Sequence, residues 1–213
     1  MRHLLSILFS IIVVIVGYNI GFQNNPTATV TVEELAQVTV TAEPIEIVPP
    51  EPVDPYAGLD VDQVHCLAKN IYFEARGESM QGKIAVASVT MNRVNNARFP
   101  NTVCGVVEQA IYSRWWKENH DKLVPVKWKC QFTWFCDGKS DTIHLTDSKG
   151  NPIKQNLQAW QQSLEVALLT IRGLIPDNTN GATHYYNPNL ASPQWAVHYE
   201  EVAQIDNHCF HRM

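Results

Sequence analysis

Two glutamates four residues apart, Glu74 and Glu78, flank Arg76 in the stretch Tyr72-Phe73-Glu74-Ala75-Arg76-Gly77-Glu78. A carboxyl group held in its protonated form near neutral pH can donate a proton to a glycosidic oxygen, and burial is what raises its pKa that far. On an ideal helical wheel Glu74 lies about 60° around from Ile71, at the border of the apolar face rather than on the solvated side. Glu78 follows Gly77, which is placed to end the helix, and a carboxylate there suits the positive end of the next helix. Taken alone, two glutamates at this spacing are most often surface charges; position on the wheel makes Glu74 the first choice for a proton donor and Glu78 the second. Phe132, Trp134 and Tyr186 could stack on sugar rings, although aromatics in strands are more often core. Asp137 and Asn187 could hydrogen-bond a sugar or simply make turns. His184, His198, His208 and His211 fit no zinc spacing, so neither a metal nor another cofactor is expected. A thiol mechanism would have to use Cys66 or Cys136 with His208, and disulfide bonding would silence either thiol.

These groups need elements to hold them. Val64, Leu67, Ala68, Ile71, Tyr72 and Ala75 recur at helical spacing after Asp62, a suitable cap. Ser79 starts a second helix whose apolar run from Ile84 to Val89 implies burial on most sides. A short helix from Thr102 to about Tyr112 is expected, then a loop or insertion from Ser113 to Lys129 carrying Trp115, Trp116 and Trp128. Gln131 to Phe135 reads as a strand leading into the Asp137-Gly138 turn. Gln155 to Arg172 is the strongest late helix, with Gly173 as its terminator. Ala182 to Tyr186 and one strand in the tail, within Trp195 to Phe210, complete an α+β domain in which helices dominate. Residues 61–213 are enough for a single core.

What precedes the domain differs in kind. Leu4 to Phe22 is a run of 19 residues without a formal charge, preceded by Arg2. As a helix it would span roughly 28 Å, close to the hydrocarbon core of a bilayer. The basic flank orients the rest of the chain away from the cytoplasm. An uncleaved anchor is the favoured reading, since no clear small-x-small site follows Phe22; a cleaved signal peptide, and hence a secreted protein, is its rival. Residues 23–60 hold six of the 12 prolines and seven acids with no Lys or Arg. That composition reads as a disordered, extended tether, with ends roughly 35 Å apart on average. From Val61 onward, 14 acids face 15 bases within a chain of net charge -5, and no basic stripe argues for nucleic acid. The five cysteines, Cys66, Cys104, Cys130, Cys136 and Cys209, all fall in the folded part, consistent with two disulfides and one spare thiol in an oxidising compartment.

The segment from Cys66 to Glu78 resembles the hallmark of the SleB-type cell wall hydrolases, a family named for a spore-cortex-lytic enzyme. The similarity continues through Gly82 to Val89, Met91 to Val94, Phe99 to Val107, Cys130 to Trp134 with Cys136-Asp137-Gly138, His184 to Pro188, and Ile205 to His208. The blocks keep the family's order and cover nearly the whole domain. The resemblance implies a lysozyme-like α+β fold acting on peptidoglycan glycan strands; the catalytic domain is expected to be monomeric. It further implies lytic transglycosylase chemistry between N-acetylmuramic acid and N-acetylglucosamine, with the first glutamate of E-A-R-G-E, here Glu74, as the single acid and base. An amidase or peptidase acting on the peptide stems, or a non-catalytic wall-binding module, are the alternatives. Such a domain could serve wall remodelling, germination or phage lysis. The segment Ala110 to Lys129 departs from the family pattern by its length; its tryptophans and lysines could extend the glycan groove, form a lid, or decorate the surface.

Overall fold

The computed structural model describes residues 54–213; the expected membrane helix and most of the expected tether lie outside the described residues. Among the described residues, no helix is long and apolar enough to cross a membrane.

Helix α1 (Val61–Ala75) is the hub. Its N-cap is Asp60, whose carboxylate accepts from the backbone N–H groups of Asp62 and Gln63. The expected cap, Asp62, is instead inside the first turn, where its charge favours the dipole. Val64, Leu67, Ala68 and Ile71 are fully buried, packed against α2 (Met80–Val94), α3 (Val103–Val107) and α5 (Lys154–Ile171). Tyr56 and Leu59 also pack on this core, and Arg172 Nη2 donates to Pro55 O at 2.8 Å. The folded region thus starts before Val61, inside the segment read as tether.

Helix α2 is capped by Ser79, which accepts from Gly82 N–H. It is sandwiched: Ile84, Val86 and Ala87 face the helical core, whereas Ala85 and Val89 meet Ala182 and Phe210 of the sheet side. That double contact explains the near-continuous apolar run from Ile84 to Val89, interrupted only by the buried Ser88. Asn92 stands in the last turn of α2, before its C-cap Asn95. Asn92 Nδ2 donates to Asp177 Oδ2 and to the Ala182 carbonyl, both at 3.0 Å, tying α2 to the approach to the sheet.

The helix expected from Thr102 stops at Val107, and the chain turns into β1 (Ala110–Tyr112). The stretch read as a loop instead holds α4 (Arg114–His120) and β2 (Pro125–Cys130), which pairs antiparallel with β1. The pairing is uneven: Ala110 faces Cys130 and Tyr112 faces Pro125, so most of β2 bulges out of register. Gln131 to Phe135 is not a strand. A disulfide between Cys130 and Cys136 closes a loop too tight for extended backbone, and Thr133–Cys136 forms a 3₁₀ turn.

Helix α5 ends where expected, with Gly173 at φ +69°, a conformation that suits glycine. Strand β3 (His184–Tyr186) follows, then a 3₁₀ turn (Gln194–Val197) and a hairpin of β4 (Glu200–Ile205) and β5 (His208–Arg212). The tail therefore adds two strands rather than one, in the antiparallel order β3-β5-β4. The second disulfide, Cys66–Cys104, staples α1 to α3, and Cys209 is a buried free thiol. The α+β, helix-dominated architecture is as expected.

Candidate active site

Glu74 occupies the last turn of α1, and its side chain emerges beside the sheet rather than into solvent. Tyr185, the middle residue of β3, donates its hydroxyl hydrogen to Glu74 Oε2 at 2.7 Å. Burial pushes the Glu74 carboxyl above its ordinary pKa, and the Tyr185 hydrogen bond and the Arg93 charge pull the other way without cancelling it. Tyr185 itself is held well above the ordinary phenol range by burial and by the neighbouring carboxylate, so it stays a donor.

Arg93 reaches the same place from the end of α2. It is 4 % exposed, donates from Nε to the Thr183 carbonyl at 2.7 Å, and lies 4.9 Å from the centroid of the Phe132 ring. Burial lowers its pKa to about 10, against the attraction of Tyr185 and Glu74, which leaves it a cation at neutral pH. Its Nη1 is buried without a hydrogen-bond partner among the described residues.

These groups border a cleft of about 260 Å³. Glu74, Arg93 and Tyr185 line it from the helix and sheet side. Gln131, Phe132 and Thr133 line it from the disulfide-closed loop, and His184 and Trp195 from the far edge. Among the described residues, Glu74 is the only carboxyl-bearing one in this lining. His184 is held neutral, its pKa lowered to about 4 by burial and then by the charges of Arg93 and His211. Glu78 does not line the cleft; it stands at the start of α2, against Gly82 and near Lys83.

Of the five residues expected to contact sugar, only Phe132 lines the cleft, as a buried floor at 3 % exposure. Trp134 instead stacks on Phe73, ring centroids 4.7 Å apart, with its indole N–H on Asn70 Oδ1 at 3.0 Å. Tyr186 packs on Trp195 and His211. Asp137 accepts from Lys139 N–H at 2.7 Å and Asn187 from Asn189 N–H at 2.9 Å, so both organise turns. Sequence reasoning missed Tyr185, because alternation along β3 says that Tyr185 and Tyr186 face opposite ways but not which one fronts the helix. Arg93 left a signal: it sits four residues after Val89 and seven after Val86, a cation on an otherwise apolar helix face.

Several known proteins are similar to this chain. The spore cortex-lytic enzyme of Bacillus cereus is 29% identical over 153 residues, covering 72% of this chain and 45% of that protein. That of Halalkalibacterium halodurans is 27% identical over 154 residues, covering 72% of this chain and 36% of its own length. The alignment thus spans less than half the length of these relatives. Among solved structures, the catalytic domain of the germination-specific lytic transglycosylase SleB from Bacillus anthracis is 28% identical, with a TM-score of 0.45; the match covers 78% of this chain and 100% of that one. The profile of the Cell Wall Hydrolase family matches residues 77–211, beginning three residues after Glu74 and spanning both Arg93 and Tyr185. With more than half of its length under that profile, the chain belongs to the cell wall hydrolase family.

Proposed function

We propose that this chain cleaves peptidoglycan glycan strands between N-acetylmuramic acid and N-acetylglucosamine, as a lytic transglycosylase with Glu74 as its single acid and base. One observation carries the reading: among the described residues Glu74 is the lone carboxyl group in the cleft lining, and it is shifted toward its protonated form. Glycosidases that use water canonically place two carboxyl groups across the scissile bond. A transglycosylase needs one. Protonated Glu74 gives its proton to the bridging oxygen as the bond to muramic C1 breaks, freeing the N-acetylglucosamine 4-hydroxyl. The resulting carboxylate takes the proton of the muramic C6 hydroxyl as that oxygen bonds to C1. The product is an anhydro sugar; no water is consumed, and the acid is restored. Tyr185 and Arg93 suit the second half, since both favour the ionised form of Glu74. Membership of a cell wall hydrolase family and similarity to spore cortex-lytic enzymes support the substrate class.

Thiol chemistry on the peptide stems loses its named nucleophiles, because Cys66 and Cys136 are both in disulfides. Phe132 is the sugar-facing floor in this reading. The run from Leu4 to Phe22 anchors the domain to the membrane, with its catalytic face outside the cytoplasm and the domain acting as a monomer. Digestion of purified peptidoglycan followed by mass spectrometry tests the chemistry. Anhydro-muramic ends, absent with Glu74→Gln, are expected; reducing muramic ends or freed peptides overturn it. Membrane fractionation before and after deletion of Leu4–Phe22 tests the anchor.

A further inference from the structure

The cleft, about 260 Å³, is small beside the roughly 300–1,000 Å³ of ordinary ligand pockets. A polymer cut there must lie mostly on open surface. A second concavity of about 270 Å³ adjoins it: Gln131 lines both, and the second is completed by Gln109, Ile111 and Lys129 from the β1–β2 arm. The two ends of the arm are tied to each other by Gln131 N–H on Gln109 O at 2.8 Å, and its β2 end is tied to the cleft-lining loop by the Cys130–Cys136 disulfide.

The arm's surface is unusual in two ways. Within β2 the bulge sets Lys127, Trp128 and Lys129 outward together. Trp128 holds φ +61° and is 58 % exposed, although a bulky side chain in the left-handed region costs energy that no burial of the ring repays. Bulges beside active sites commonly re-aim side chains. Lys127 Nζ sits 5.2 Å from the Trp128 ring centroid, keeping charge and ring together. Charge is the second point. Arg114 and Lys117 each pair with an acid of the arm, Glu118 and Asp121, both at 2.6 Å. Those are the arm's only two acids. Lys122, Lys127 and Lys129 have no ion-pair partner among the described residues, in a chain of net charge -5.

We infer that the β2 bulge is a docking site for the peptidoglycan strand beyond the scissile link, with Lys127 and Lys129 pairing carboxylates of the acidic peptide stems and Trp128 packing on the sugar or stem beside them. The inference rests on the peptidoglycan reading above and adds a preference: strands that carry stems bind better than bare glycan. Continuity with the cleft through Gln131 favours this occupant over a lipid surface, which would recruit the same lysines and tryptophans.

The test uses the full-length chain carrying Glu74→Gln, so that binding is measured without cleavage. To it is added Lys127→Gln/Trp128→Asn/Lys129→Gln, in which Asn relieves the left-handed strain and folding is confirmed by thermal melting. Binding is measured to soluble glycan strands with stems, to the same strands stripped of stems by an amidase, and, with Leu4–Phe22 deleted from both proteins, to phosphatidylglycerol vesicles. Expected is a loss of about tenfold on stem-bearing strands, diminishing with added salt, and a loss under about threefold on stripped strands. Equal loss on both strands, or no loss, overturns the inference. So does loss confined to vesicles, which makes the arm a membrane contact. If the Glu74→Gln parent binds neither strand, the peptidoglycan reading fails and this one with it.

Discussion

Glu74 and Tyr185 stand 111 positions apart in the chain, yet the phenol oxygen lies 2.7 Å from the carboxylate. The contact joins the end of α1 to the middle of β3, so the acid's environment depends on both the helical core and the sheet. Tyr185 is aligned in turn by pairing of β3 with β5, where it faces Phe210. A donor to a carboxylate favours its charged form. It therefore opposes the desolvation that raises the Glu74 pKa, and it leaves the group able to give a proton and take one back.

Tyr185→Phe should keep the fold, since it removes one oxygen from a ring already packed on Phe210. It deletes an influence that lowers the Glu74 pKa, so that pKa rises further. The alkaline limb of the pH–rate profile should move to higher pH, and kcat should fall by about tenfold or more because the carboxylate form loses a partner. A limb that stays in place or moves down in pH would count against this account of the pair.

His184 should be silent near neutrality. Its pKa sits at about 4 because it is buried and because Arg93 and His211 lie nearby. The imidazole should show no titration between about pH 5.5 and 8 when followed by NMR. In Arg93→Met its midpoint should climb toward 6.5 without reaching it, since burial is the larger cause and remains. A midpoint unchanged by that substitution would remove Arg93 as a source of the cleft's positive field.

Much of this was legible in the sequence and some was not, for physical reasons. The apolar faces of α1, α2 and α5 follow helical periodicity, which depends only on local chain geometry. The position of Glu74 at the edge of such a face is equally local. Tyr185 needed knowledge of which face of β3 meets α1, and that is set by contacts between distant segments. The β2 bulge was hidden for a related reason: exposed Lys and Trp in alternation carry no apolar pattern, and the register is fixed by the pairing with β1 and the Cys130–Cys136 bond. Trp134 misled because its composition suits sugar stacking, while its N–H is consumed by buried Asn70.

Gly82→Ala offers a check on the packing at the start of α2. Inside a helix, alanine ordinarily improves on glycine by about 1 kcal/mol. Here a Cβ would collide with Asp206 Oδ2 and with the Glu78 side chain. That same Asp206 oxygen accepts from the Ser79 hydroxyl at 2.8 Å and its N–H at 3.1 Å, fastening the β4–β5 turn to the helix cap. The substitution should lower stability in urea by about 1–3 kcal/mol instead of raising it. Any stabilisation would show that the turn yields more readily than this contact implies.

Asn70→Ala tests how the wall behind the acid is held. Asn70 is fully buried in α1; its Nδ2 donates to Thr90 Oγ1 at 3.1 Å, and its Oδ1 receives the Trp134 indole. Truncation strands the Trp134 indole N–H, while the Thr90 hydroxyl keeps its bond to the Val86 carbonyl at 2.9 Å, and the loss should cost about 1–3 kcal/mol of stability. Trp134, stacked on Phe73 beside Glu74, should then loosen, seen as a red-shifted and more readily quenched tryptophan emission, with activity falling at temperatures where the fold persists.

Glu74→Gln separates catalysis from stability through pH. The folded pKa of Glu74 lies above its unfolded value of 4.5. Below that unfolded value both states are protonated, and the carboxyl carries no charge to desolvate. As pH rises through 4.5 toward the folded pKa, the unfolded state ionises first, and stability is progressively lost. Glutamine has no charge at any pH and can still accept the Tyr185 hydrogen bond. The melting temperatures of the two proteins should therefore nearly coincide at pH 4 and separate in favour of Glu74→Gln by pH 8, while cleavage of peptidoglycan falls by at least about a thousandfold. Parallel melting curves across that range would mean that Glu74 is not held in a desolvated site. Retained cleavage would remove it as the acid, whichever way the melting curves ran.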